Sequence, residues 1–123
     1  MKEITVDFTK KLRSFTQNYF FMELSTTSGE IISLEEARRY THAFQKRYPH
    51  EKKAFFAGAE NLRKILEQPG CLGIRIYNGY SEDEETSNKV LIGIDAEGND
   101  ITEGIIVEKL TACPPLCTGS PGL

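Results

Sequence analysis

The periodicity of the sequence changes within Gln68-Pro69-Gly70-Cys71-Leu72-Gly73-Ile74-Arg75-Ile76-Tyr77. Before Gly70, apolar residues recur every three or four positions, which is typical of amphipathic helices. From Leu72 onward every second residue is apolar, which is typical of a half-buried strand. The sequence therefore predicts a helical first half, a break at Pro69-Gly70 and a β-rich second half.

Two helices are predicted between residue 32 and the break. The first spans about 34–48 and begins with a capping box, in which Ser33 and Glu36 each bond the other's backbone N–H. Its apolar stripe consists of Leu34, Ala37, Thr41, Phe44 and Tyr48. The second helix spans about 51–67 and contains Gly58. A short link through Pro49 would join the two helices into an αα-hairpin.

Three strands are predicted after the break, at about 72–77, 90–94 and 104–108. The acidic stretch 81–88 is predicted to be a loop, and turn-forming residues occupy 95–100. The predicted fold is therefore α+β, with the helices packed on a three-stranded antiparallel meander. The predicted core consists of Phe44, Phe55, Leu62, Leu66, Ile74, Ile76, Leu91, Ile92, Ile94, Ile106 and Val107.

The N-terminal segment carries a separate pattern. Its apolar residues at helical spacing are Phe8, Leu12, Phe15, Tyr19 and Met22. They predict an amphipathic helix over about 8–22, and the polar residues Ser25–Gly29 after it predict a flexible linker. The chain thus divides into an amphipathic segment with its linker (1–31), an α+β domain (32–112) and a Pro/Gly-rich cysteine tail (113–123).

Four stretches carry a resemblance to other proteins: Ile32–Ala37, Gln68–Tyr77, Gly93–Asp100 and the tail Cys113–Cys117. In these stretches the chain resembles a group of small, uncharacterised bacterial proteins. The resemblance covers about three quarters of the chain and leaves the first 31 residues as an addition. It implies a bacterial source and a domain that begins near Ile32, and it implies no activity, ligand or catalytic residue.

Composition and charge limit the function classes. The 123 residues fit one domain, and 39% apolar residues are enough for a core. The net charge is −3: residues 33–70 hold eight basic and five acidic side chains, and residues 71–123 hold three and nine. This acidic balance argues against nucleic acid as a partner. No apolar run is long enough to predict a membrane span, and the charged N-terminus predicts a cytoplasmic protein.

The residues that could carry chemistry are few. Cys113 and Cys117 have a C-x3-C spacing, whereas zinc knuckles and thioredoxin-like sites use C-x2-C. The two intervening prolines stiffen the segment and separate the sulfurs unless the chain turns. We expect an inert pair in a surface tail, and a metal site or a functional disulfide at these two cysteines is the alternative. His42 and His50 have no neighbouring nucleophile motif, so the sequence predicts no catalytic residue and no cofactor.

These observations favour a non-catalytic protein-interaction or self-assembly module over an enzyme. The N-terminal apolar stripe, Phe8, Leu12, Phe15, Tyr19 and Met22, is the candidate interface, and copies of the same chain are the candidate partner. The free side of its own domain is the other surface that this stripe can cover. The opposite charges of residues 33–70 and 71–123 would orient one copy against the next. The alternative function is a thiol-dependent or metal-binding protein that acts through Cys113 and Cys117.

Overall fold

A computed structural model describes residues 23–117, 119 and 122–123. The chain divides into two units, Met1–Glu30 and Ile31–Leu123. In the first unit, the segment predicted as a linker forms a hydrogen-bonded turn, since Ser28 N donates to Ser25 O at 3.2 Å and Ser25 N donates to Ser28 Oγ at 2.9 Å.

The described residues of the second unit form two helices and five strands. Their bounds are α1 Leu34–Arg47, β1 Ala54–Phe56, α2 Ala59–Leu66, β2 Gly73–Ser81, β3 Thr86–Ile94, β4 Ile106–Val107 and β5 Thr111–Cys113. Strands β2, β3 and β4 form an antiparallel meander in that order, and β1 pairs with β5 in a separate two-stranded sheet. The α+β prediction with a three-stranded antiparallel sheet is confirmed.

Helix α1 begins with the Ser33 half of the predicted capping box, while the Glu36 carboxylate accepts from Arg39 Nη2 and the Tyr40 hydroxyl instead. Glu36 N donates to Ser33 Oγ at 3.0 Å, and Ser33 itself has extended backbone angles. The helix ends one residue before Tyr48, which precedes the proline. A further contact of the helix is made by Arg38, whose Nε donates to Gly122 O at 2.9 Å. However, α1 buries none of its residues, so the predicted core position of Phe44 is wrong.

The prediction of one helix over 51–67, and with it the αα-hairpin, is wrong. Ala54–Phe56 form strand β1 instead, and α2 begins only after Gly58, which is its N-cap. Two adjacent phenylalanines suit a strand, and their backbone is satisfied by pairing with β5, in which Ala54 lies opposite Cys113. A partner far along the chain thus overrides a local helical pattern.

The loop predicted at 81–88 is also wrong. Strands β2 and β3 pair continuously from Gly73 opposite Ile94 to Ser81 opposite Thr86, so only residues 82–85 remain as the connecting turn. Glu85 has a left-handed backbone with a φ of 52°, and Glu84 N donates to Ser81 Oγ at 3.1 Å. The acidic residues 82–85 therefore form a tight hairpin turn between β2 and β3. Strand β4 is shorter than the predicted 104–108.

The core is smaller than predicted and is centred on a residue outside the predicted set. Among the described residues, the buried apolar side chains are Ile65, Leu91, Ile92 and Ile94. Of the predicted core residues, those that lie exposed are Phe44, Leu66, Ile76 and Ile106. Helix α2 therefore turns Ile65 toward the sheet and leaves Leu66 in solvent.

Candidate interaction surface and disulfide

The two faces of the β2–β3 hairpin differ in what covers them. Successive strand residues point to opposite faces, so Leu91 and Gly93 share one face while Ile92 and Ile94 share the other. We call the first the helix face, because Ile65 of α2 lies directly over Gly93. Arg75 lies opposite Ile92 and belongs to the second, outer face.

An apolar groove of about 540 Å³ runs along the helix face beside β1. It is lined by Phe55, Phe56, Ala57, Leu62, Ile76, Lys89, Leu91 and Leu110. We call it the β1 groove. Two of its residues are unusually open for their type, because Phe56 is 70% exposed and Ile76 is 62% exposed. The groove therefore presents an aromatic ring and a branched aliphatic side chain to solvent on neighbouring elements.

A second groove, of about 320 Å³, lies where the end of α1 approaches the tip of the hairpin. Its walls include Phe44 and Tyr48, whose ring centroids are 5.0 Å apart. Across from them, Lys89 Nζ lies 5.5 Å from the centroid of the Phe55 ring and also bonds Asn78 Oδ1. The stripe of α1 thus lines an open groove and does not enter a packed core.

The outer edge of β2 is a third exposed feature. Within the part of the chain that the structure describes, β2 pairs only with β3, so its other edge meets no strand. Tyr80 on this strand is 60% exposed and Tyr77 is 44% exposed. Of the residues in Gly73–Ser81, only Arg75 is charged, and the strand contains no proline, lysine or bulge. Those are the devices that natural proteins use to keep sheet edges apart.

On the outer face, Asp100 binds Arg75, which is the charged residue of β2. Its two carboxylate oxygens accept from Arg75 Nη1 at 2.7 Å and from the Tyr77 hydroxyl at 2.5 Å. A side-chain hydrogen bond with Tyr77, followed by the hydrogen bond and charge of Asp100, raises the pKa of Arg75 above its ordinary value. Desolvation by burial opposes this rise. Arg75 is therefore a permanent cation with a fixed partner, and the Tyr77 ring is held in one orientation.

Cys113 and Cys117 form a disulfide, with their Cα atoms 4.9 Å apart. The chain turns between them, since Leu116 N donates to Ala112 O at 3.0 Å. Cys113 ends β5 and is half-buried, whereas Cys117 is exposed. The sulfurs are joined to each other, so in this form neither is a thiolate ligand for a metal.

Two lysines lie beside the disulfide. Lys53 N donates to Cys113 O at 2.6 Å, and Lys52 Nζ donates to Pro114 O at 2.9 Å. The third cysteine, Cys71, is free and half-buried, and its thiol donates to Gly73 O at 3.3 Å. It packs against Gly93 on the helix face.

The predicted interface residues Phe8, Leu12, Phe15, Tyr19 and Met22 lie outside the described residues. His42 and His50 are both exposed. Among the residues that the structure describes, no group of three or more His, Cys, Asp or Glu side chains is placed to hold a metal ion.

The β1 groove and the open edge of β2 were not foreseen from the sequence. Phe56 and Ile76 are distant along the chain and belong to separate sheets, and they meet only as walls of the folded β1 groove. A signal for the edge was present, because the alternating stretch through Tyr77 contains one charge and no proline.

Comparisons of the chain with protein-family models, with curated proteins and with solved structures gave no match. None of the described helices has the length and apolar character needed to cross a membrane.

Proposed function

We propose that this chain is a non-catalytic protein-interaction module that assembles with copies of itself. One observation carries the proposal. The described part of the chain buries four apolar side chains, yet it exposes Phe56, Ile76, Tyr80 and other large apolar residues at its surface. A monomeric protein rarely leaves contiguous apolar surface uncovered, and such surface marks interaction sites. The same reasoning favours protein over nucleic acid as the partner.

Two sequence features support copies of the same chain as the partner. The N-terminal stripe Phe8–Met22 adds further apolar side chains to a molecule that already exposes many. Residues 33–70 carry an excess of three positive charges, and residues 71–123 an excess of six negative ones. Opposite charges on one chain can meet between two copies and fix their orientation.

Light scattering on the full chain tests the proposal. The expected result is a mass above 13.9 kDa that grows with protein concentration and falls in high salt, because salt screens the complementary charges. A shortened chain beginning at Ile31, the start of the second unit, serves as the comparison. We expect it to remain folded and to form a smaller species. A full chain that stays at the monomer mass at every concentration would contradict self-assembly.

The disulfide favours a second candidate function, thiol–disulfide exchange at Cys113–Cys117. The partner would be a protein or small molecule with two thiols. One of its thiolates attacks the exposed Cys117 sulfur and breaks the bond, Cys113 leaves as a thiolate, and the partner's second thiol then releases Cys117. Lys52 Nζ donates to the carbonyl oxygen of Pro114, so a positive charge is held at the residue that follows the leaving Cys113.

The candidate predicts that dithiothreitol reduces this disulfide in the folded protein faster than the protein unfolds. Alkylation followed by mass spectrometry measures the rate, and Cys71→Ser is the control that leaves the pair intact. For an inert pair, replacing both Cys113 and Cys117 by Ser should leave the melting temperature and the oligomeric state unchanged. Reduction only at the unfolding rate would remove exchange as a function.

A cytoplasmic location stays a prediction, and the disulfide bears on it. Disulfides in reducing compartments are usually transient and take part in catalysis or redox sensing. If the protein is cytoplasmic, Cys113 and Cys117 would therefore cycle between bonded and free forms in the cell.

A further inference from the structure

We propose that two copies of this chain pair through the outer edges of their β2 strands, antiparallel and centred on Tyr77, so that the two three-stranded sheets join across a two-fold axis. This inference rests on the proposed self-assembly and names its surface. Strand β2 is nine residues long, and no described strand pairs with its outer edge. An open edge of that length has a row of backbone N–H and C=O groups available to a second strand.

Symmetry restricts how the two strands can pair. Two identical antiparallel edges are related by a two-fold axis perpendicular to the sheet, so each residue must face one on the same side of the sheet. Of the registers that satisfy this rule, only the one centred on Tyr77 overlaps all of Gly73–Ser81. In it, Tyr77 faces Tyr77 of the second copy, and the helix faces of both copies lie on one side.

The side chains of β2 are self-complementary in this register. Across the two copies, Arg75 faces Gly79, Ile74 faces Tyr80 and Ile76 faces Asn78. No like charges meet across the two strands, because Arg75 is the only charged residue of β2. It already binds Asp100 at 2.7 Å. Its long side chain faces a glycine, which leaves room for it. Aromatic and aliphatic cross-strand pairs of this kind stabilise antiparallel sheets.

Two features reduce the loss of conformational freedom on pairing. The Tyr77 ring is held by its hydroxyl bond to Asp100, so it is already ordered before a second copy arrives. The backbone of β2 is likewise fixed by continuous pairing with β3. The joined helix faces would also bring the two β1 grooves, with Phe56 and Ile76, to the same side of one continuous sheet.

Cysteine cross-linking of the full chain tests the register. In a Cys71→Ala background, Tyr77→Cys places two thiols directly opposite each other, within the distance at which a disulfide closes. Mild oxidation should then shift the main species from 13.9 kDa to twice that mass, with residue 77 in both linked peptides. The matched control is Tyr80→Cys, on the same strand and also exposed, whose two copies lie about 20 Å apart in this register. Tyr80→Cys should remain at the monomer mass when the oxidised protein is run on a non-reducing gel.

A second measurement needs no substitution, in case Tyr77→Cys fails to fold. Hydrogen exchange of the β2 amides that do not bond to β3 should slow at high protein concentration and speed up on dilution. Cross-links of equal yield at positions 77 and 80, or exchange in β2 that is independent of concentration, would overturn the pairing. If the full chain still scatters as a dimer, only this surface is wrong, whereas a monomer at every concentration removes the proposed function as well.

Discussion

Gly93 is the residue on which α2 meets the sheet. A Cβ atom at this position would lie 2.9 Å from Cys71 Sγ, 3.0 Å from Gln68 Nε2 and 3.2 Å from Ile65 Cγ2. The absence of a side chain lets the helix come close enough to bury Ile65 completely. Gln68 then continues the contact, since its Oε1 accepts from Ile105 N at 2.8 Å. One small residue thus determines which turn of α2 enters the core.

The first prediction concerns this close approach. Gly93→Ala should lower the free energy of unfolding by about 1–3 kcal/mol, because the added methyl group forces three packed neighbours to move. The matched control is Gly73→Ala, which has open space around the added carbon and lies opposite Ile94 in the partner strand. A urea titration measures both. Equal stability of the two variants would show that α2 does not pack closely against Gly93.

The second prediction concerns Asp100. Asp100→Asn removes the charge that binds Arg75 and weakens the acceptor for Tyr77, in a partly exposed site. We expect a loss of about 1 kcal/mol, less than is usual for hydrogen bonds to charged groups, because solvent screens the pair. Asp95→Asn is a useful comparison, since that carboxylate accepts only backbone N–H groups, from Glu97 and Asn99. Adding Arg75→Gln to Asp100→Asn should produce little further loss if the two side chains act as one pair.

Helices and strands with strong local signals were predicted correctly, whereas elements that depend on pairing between distant segments were not. Helix α1 was predictable because its capping box lies within four residues. Strand β1 was not, because it exists only through its pairing with β5, near the other end of the chain. The disulfide stayed one of several alternatives for a related reason, since the turn that brings Cys113 to Cys117 cannot be derived from their spacing alone.

The third prediction separates local from global stability in α1. Ser33→Ala removes the N-cap bond and should destabilise the helix by about 1 kcal/mol. Because α1 buries no residue, the loss should appear as roughly fivefold faster hydrogen exchange within Leu34–Arg47, with the melting temperature of the domain unchanged. Ser33→Asp keeps a capping oxygen and should behave like the natural chain. A lowered melting temperature in Ser33→Ala alone would mean that α1 unfolds together with the sheet.

Large apolar side chains are exposed on several elements of the second unit. The sheet, the β1 groove and the stripe of α1 all present large apolar side chains that the described residues leave uncovered. The sequence contributes a further stripe before residue 23, and the two halves of the domain carry opposite charge. Each of these features is common alone, and together they support the proposed self-assembly.

The last prediction tests whether the N-terminal stripe takes part in that assembly. On a helix over 8–22, Phe15 lies in the middle of the stripe and Gln17 lies on the opposite side. Phe15→Asp places a charge in the apolar surface and should reduce the mass measured by light scattering toward 13.9 kDa, because burying an unpaired carboxylate is costly. Gln17→Asp adds the same charge to the polar side and should leave the assembly intact. If both variants assemble like the natural chain while remaining folded, the stripe serves its own chain, and assembly depends on surfaces of the second unit. If both dissociate, the added negative charge and not its place on the helix controls association, and the stripe is not the interface.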